Sequence, residues 1–196
     1  NHKEVWFAKR IEIADHWKKQ HPYIPSKLSP YEMSQKEFIK IFGNVFEHSS
    51  WVAEKTYLRG VNPSMENADA LHRFMSLEFR LSSNSEKLKV LKSHPDLALG
   101  KVKKFNKLTV SSKTEQKNAG LTSLTEKEQI DFNQLNIDYQ NKFNHPFIIA
   151  VKGKTRSQIL RQFKTRLNNS RQEEFNTACN EVEKIAGFRI QEIFNS

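Results

Sequence analysis

Between His94 and Leu121 the chain gathers side chains that can move protons and orient a small polar ligand. A His-Pro-Asp-Leu-Ala run occupies 94–98, and Ser112-x-x-Glu115-Gln116-x-x-Ala119-Gly120-Leu121 follows. An imidazole that titrates near neutral pH can serve as acid or base, and a nearby carboxylate can share that work. Each residue also has a structural use. A histidine before a proline at a helix end commonly faces the negative end of the dipole. Ser112 and Glu115 have the spacing of a capping box, and Arg189 sits beside Phe188 and Ile190, where an arginine usually snorkels to water. What favours chemistry is the helix start expected at Ser112, whose N–H groups and dipole suit an anion. His16, His21, His48 and His72 are scattered, without a His-Glu-x-x-His pattern, and no metal site is expected.

The elements that must position these residues announce themselves through repeated capping boxes. Ser34-x-x-Glu37 opens a helix with Phe38, Ile41, Phe42, Val45 and Phe46 on one face. Trp51 to Arg59 reads as a second helix stopped by Gly60, Asn67 caps a third, and Ser85 a fourth that ends before Pro95. That places His94 on a loop just past a helix end. Further helices start at Ser112, Thr125, Thr155 and Ser170. Pro146 to Val151 is the one β-like run; without an evident partner it is expected to be a buried extended segment. An all-α, single-domain bundle of about eight helices follows, with one short extended stretch near 147–151.

Residues 1–27 differ in character: an amphipathic piece from Val5 to Trp17 runs into Pro22 and Pro25. This reads as an N-terminal extension and linker before a domain at 28–196, either packed on the bundle as an extra helix or belonging to another domain. The single cysteine, Cys179, excludes an internal disulfide and fits a small buried hydrophobe. No apolar run approaches the roughly 20 residues that span a bilayer, and no targeting signal is evident, so a soluble cytoplasmic protein is expected. The formal charge of +10 admits an alternative, a basic helical module binding nucleic acid or another partner. Its densest cluster, Lys101, Lys103, Lys104 and Lys107, interleaves only Phe105, which does not make a row of stacking aromatics.

Taken in order, His94-Pro95-Asp96-Leu97-Ala98, the Ser112 to Leu121 segment, Leu135-Asn136-x-x-Tyr139, Pro146-Phe147-Ile148-Ile149-Ala150 and Arg166-Leu167-x-Asn169 resemble 2-oxo-4-hydroxy-4-carboxy-5-ureidoimidazoline (OHCU) decarboxylases. Phe42 to Ser49 resembles that family's first helix and Ile185-Ala186-x-x-Arg189-Ile190 its last. The resemblance implies an all-α homodimer without a cofactor that turns OHCU into (S)-allantoin and carbon dioxide. It implies that His94 is the acid–base residue, with Glu115 sharing the proton work. It also implies that Pro95, Ser112, Lys113, Thr114, Glu115, Gln116 and the main chain of Phe147, Ile148, Ile149, Ala150 and Val151 line the substrate. Arg189 reaches in from the last helix, and Arg189, Gln116 and backbone N–H groups stabilise developing charge. No nucleic-acid or membrane partner is implied. The chain departs from the family at Ser50, at Arg59-Gly60-Val61, at Leu99 and at Asn144-His145. Val5 to Trp17 resembles instead the C-terminal tail of a metal-independent, polysaccharide-deacetylase-like allantoinase, which implies a fused or associated allantoinase module.

Overall fold

The computed structural model describes residues 9–20, 28–98 and 109–196, and among these every regular element is helical. Nine α-helices follow in order: α1 (Arg10–Gln20), α2 (Gln35–Phe42), α3 (Trp51–Gly60), α4 (Ala68–Leu81), α5 (Asn84–Ser93), α6 (Val110–Asn118), α7 (Glu126–Phe143), α8 (Arg156–Arg166) and α9 (Arg171–Phe194). Single 3-10 turns occupy Pro30–Glu32 and Pro63–Met65. The all-α expectation holds, with eight helices where capping and periodicity place them and α1 in front.

Capping chemistry sets most of the starts. Ser34, Thr125, Thr155 and Ser170 each accept a hydrogen bond from the third helical residue, whose own side chain bonds back. Two starts differ from the sequence reading. α5 is capped by Ser83 with Glu86, so Ser85 lies inside it. α6 is capped by Thr109, which puts Ser112 in its first turn and leaves Glu115 without a capping role. α2 also stops at Phe42, earlier than its periodicity suggests. Val45 and Phe46 lie in the turns beyond it and are still buried. Gly60, at φ +112°, ends α3 in a conformation that side chains resist.

Two apolar clusters share the interior. The larger packs α2, α3, α4 and α5 around α9, through residues such as Phe38, Phe42, Phe79, Leu91, Val182 and Ile190. The smaller joins α7 and α8 to the loop after α5 through Leu97, Phe132, Tyr139, Phe147 and Phe163. The stretch 145–151 is extended and runs between them. Its side chains alternate as a strand's would: Phe147, Ile149 and Val151 belong to the smaller cluster, Ile148 and Ala150 to the larger. No sheet is needed, because each face has its own core. Phe147 stacks on Phe163 with centroids 3.9 Å apart.

Cys179 is buried in the larger cluster, where burial pushes its thiol up to about 11, as a structural cysteine requires. α1 contributes no buried residue, and its Ile11, Ile13 and Trp17 are exposed. Val5, Pro22, Pro25, Leu99 and the lysine cluster at 101–107 lie outside the described residues. No helix among the described residues is long and apolar enough to cross a membrane.

Candidate active site

A narrow cleft opens at the seam between the two clusters, lined by His94, Pro95, Leu97, Ser112, Glu115, Gln116, Phe147, Ile148, Ile149, Val151 and Arg189. It thereby joins the loop after α5, one face of α6, the extended segment and the C-terminal third of α9. On α6 the contributors stand at i, i+3 and i+4, the spacing of one helix face. Lys113 and Thr114 fall off that face and do not line the cleft; Thr114 borders a neighbouring one, as does Ala150.

His94 is the C-cap of α5 and is buried. Its Nδ1 lies 2.8 Å from the Val90 carbonyl oxygen. A carbonyl only accepts, so Nδ1 carries the hydrogen and Nε2 keeps its lone pair. Burial pushes the imidazole down to about 4, against the opposing pull of the Val90 bond and of Glu47. At neutral pH His94 is therefore an uncharged base tethered through its far nitrogen, rather than a charged partner for the end of α5.

The loop that carries it is held by amides. Gln116 donates through Nε2 to the Asp96 carbonyl and accepts from the Ala98 N–H, both at 3.1 Å. Asn136 donates to the Leu97 carbonyl at 2.9 Å, Gln129 to that of Ala98, and Gln140 to the Asp96 carboxylate. Ala98 sits at φ +58°, a left-handed conformation that costs an alanine roughly 1–2 kcal/mol and persists where neighbours over-determine it. Gln116 thus braces the histidine loop through Oε1 and one of its two Nε2 hydrogens while it lines the cleft.

Arg189 is 4 % exposed, which removes the snorkelling interpretation. Its Nε and Nη2 meet the two oxygens of Glu115 at 2.7 and 3.0 Å, a side-on bidentate pair. Nη2 also donates to Ser112 Oγ at 3.1 Å, and Nη1 to Glu47 Oε2 at 2.8 Å. Glu115 is the more open end, with 27 % of its side chain exposed. Along the extended segment, the Ala150 N–H donates to Glu181 and the Ile148 carbonyl accepts from Arg166, both at 2.8 Å. The N–H groups of Ile149 and Val151 have no hydrogen-bond partner among the described residues, and both residues line the cleft.

Glu47 is the residue that sequence reasoning passed over. It stood inside a motif but received no role. It is fully buried and accepts from Thr109 Oγ1 and Ser112 Oγ, each at 2.8 Å, besides Arg189. Burial alone would raise its carboxyl; the Arg189 charge, the bonds from Thr109 and Arg189 and, once it takes a proton, the His94 imidazole outweigh that and hold it below the ordinary carboxylate value. A carboxylate beside the first turn of α6 also meets the positive end of that helix, so the anion favoured there is already supplied by the protein. The available signal was an acid directly after Val45-Phe46, in a run otherwise bound for the core. Among the described residues, no three His, Cys, Asp or Glu side chains come together as a metal site would need.

An all-α domain that presents an uncharged imidazole, a partly open carboxylate and a buried ion-pair network to one cleft is equipped for acid–base work on a small polar ligand. Residues 31–191 match the family model described as OHCU decarboxylase, and the chain belongs to that family. It is 43 % identical over 163 residues to the "Uric acid degradation bifunctional protein" of Bacillus sp. (strain TB-90), covering 83 % of this chain but only 31 % of the relative. It is 33 % identical over 162 residues to the "2-oxo-4-hydroxy-4-carboxy-5-ureidoimidazoline decarboxylase" of Halalkalicoccus jeotgali, covering 83 % of this chain and 88 % of the relative. Among solved structures it resembles an (S)-allantoin synthase, with a TM-score of 0.65 and 27 % identity over 84 % of this chain and 52 % of that one.

Proposed function

We propose that this chain decarboxylates OHCU to (S)-allantoin and carbon dioxide in urate degradation, without a cofactor, and that the cleft at His94 is where it does so. The observation that carries this is His94 itself, uncharged, tethered to Val90 and lining a cleft with Glu115. When the C–CO₂ bond breaks, its electron pair stays on the ring as an enolate-like system. That pair ends in a new C–H bond, so one proton is taken up per carbon dioxide released. The ring nitrogen of the opened C=N bond takes a second proton, offset by the hydroxyl proton that His94 Nε2 accepts as the carbonyl forms, and either His94 or Glu115 delivers the proton to the ureido-bearing carbon. Delivery to one face alone fixes the S configuration. Positioned proton transfer of this kind contributes about 10²- to 10⁴-fold.

The N–H groups of Ile149 and Val151 are the proposed donors to the ring's polar edge. Arg189 holds Glu115 and so sets its aim. An anionic substrate enters beside two carboxylates, and its charge is balanced by proton uptake at His94 or Glu115. The same proposal takes the protein as a homodimer and includes a fused or associated allantoinase module. A relative named as a uric acid degradation bifunctional protein, of which this stretch is 31 %, supports fusion to a second activity of that degradation.

The test is to supply OHCU generated in situ and follow circular dichroism against a protein-free blank. Spontaneous decay gives racemic allantoin, and the protein is expected to give a fast, optically active S product. No gain in rate or chirality rules the proposal out, and salt-sensitive nucleic-acid binding in its place would support a basic binding module.

A further inference from the structure

The turn between α2 and α3 holds a carboxylate to which the mechanism above gives no part. Glu47 is 0 % exposed, yet it is tied to three other elements. Its carboxylate oxygens accept from Thr109 and Ser112 of the α6 start and from Arg189 of α9, all at 2.8 Å. Its backbone carbonyl accepts from Ser49 Oγ and from Ser93 Oγ, each at 2.9 Å, and Ser93 immediately precedes His94. Taking a carboxylate out of water costs several kcal/mol, and a well-packed apolar side chain is often as stabilising. The charge therefore needs a reason beyond packing.

The charge count supplies one. Arg189 carries one positive charge against the two carboxylates that pair with it, Glu47 and Glu115. With His94 uncharged the cluster has one negative charge in excess, and a proton on His94 neutralises it. We propose that Glu47 is the positioning residue and counter-charge of this site: it fixes Ser112 and Arg189 and balances the imidazolium that forms when His94 takes a proton. The electrostatics agree in direction. Glu47 raises the proton affinity of His94, whereas Arg189 and His48 lower it. The other charged groups nearby are Glu115 across the cleft on α6 and Asp96 two residues along the loop, held by Gln140. Glu47 accordingly plays the part that an orienting carboxylate plays behind a catalytic histidine, acting through space and through Ser93 rather than by a hydrogen bond to the ring.

The kinetic arm of the test rests on the decarboxylase proposal; the spectroscopic arm does not. Titration of His94 by ¹⁵N NMR in the intact chain without substrate should show its midpoint falling by about half a pH unit or more in Glu47→Gln, with Glu47→Asp between that and wild type. With OHCU, Glu47→Gln should lose about tenfold in kcat while KM stays within about threefold. Its acid limb of kcat/KM should move to lower pH, because the base stays uncharged further into acid. A midpoint that does not move in folded Glu47→Gln, with kcat within about twofold of wild type, overturns the proposal and leaves Glu47 a packing residue. Should that variant fail to fold, Glu47→Asp carries the test, and an unmoved midpoint there overturns it equally.

Discussion

Two arginines lie buried among the described residues, and their surroundings are built from nearly the same parts. Arg166 of α8 is 5 % exposed and Arg189 of α9 is 4 % exposed, and each guanidinium faces a fully buried glutamate. Around Arg166 the network closes on itself. Glu174 takes Nε and Nη2 and also accepts from Asn169 and the Tyr139 hydroxyl, while Nη1 holds the Ile148 carbonyl and the guanidinium lies 4.5 Å from the Phe147 ring centre. Burial and the Glu174 carboxylate raise the Tyr139 hydroxyl well above its ordinary value, so it stays protonated at neutral pH. Around Arg189 the network is similar until Glu115, whose side chain is 27 % exposed and borders the cleft with His94. Burial and charge alone do not mark a catalytic site. The opening sets the proposed active site apart, together with a neighbouring base whose lone pair is left unengaged.

If the comparison is right, damage to the two networks should read out differently. The largest effect is expected from Arg166→Met, which strands Glu174 without its partner. Breaking a buried pair in this way costs about 3–5 kcal/mol, seen as a lowered denaturation midpoint, while the folded fraction keeps kcat within about threefold. A smaller, kinetic effect is expected from Arg189→Lys. The charge survives but the planar fork on Glu115 does not, so the fold should persist while kcat falls at least about tenfold, roughly 1.4 kcal/mol of barrier. Steady-state kinetics beside chemical denaturation separates the two outcomes. A stable Arg166→Met or a fully active Arg189→Lys would erase the distinction. The smallest effect belongs to His48→Asn. His48 is at φ +47°, which asparagine tolerates, and its side chain is 54 % exposed, so both stability and turnover should stay close to wild type.

The local rules of helix formation made most of the fold legible. Capping boxes at Ser34, Thr125, Thr155 and Ser170 state both partners within four residues, and all four start helices. The rule misled where side chains of the right type had longer-range work. Ser112 and Glu115 have capping spacing, but Thr109 caps α6, and the pair reaches instead to Glu47 and Arg189, which stand 65 and 74 residues away in the chain. Gln116 likewise gave no local sign that its amide would brace residues 96–98. Glu47 was the hardest to see: its four side-chain and main-chain partners on other elements, Thr109, Ser112, Arg189 and Ser93, exist only once the chain is folded. The extended run at 147–151 was legible as buried, but the alternation of its side chains between two cores was not, because both faces are apolar.

The central claim is the proposal that His94 is the acid–base residue on which both the rate and the chirality of the product depend. It is tested most directly with His94→Asn beside the wild-type chain, following OHCU consumption and the circular dichroism of allantoin in the same cuvette. The loop holding residue 94 is braced by Gln116, Gln129, Asn136 and Gln140, so the variant should fold. It is expected to lose on the order of a hundredfold or more in rate and to leave allantoin close to racemic. A folded His94→Asn protein that keeps a rate within a few-fold of wild type and still yields (S)-allantoin would contradict the account and move the acid–base role to another residue.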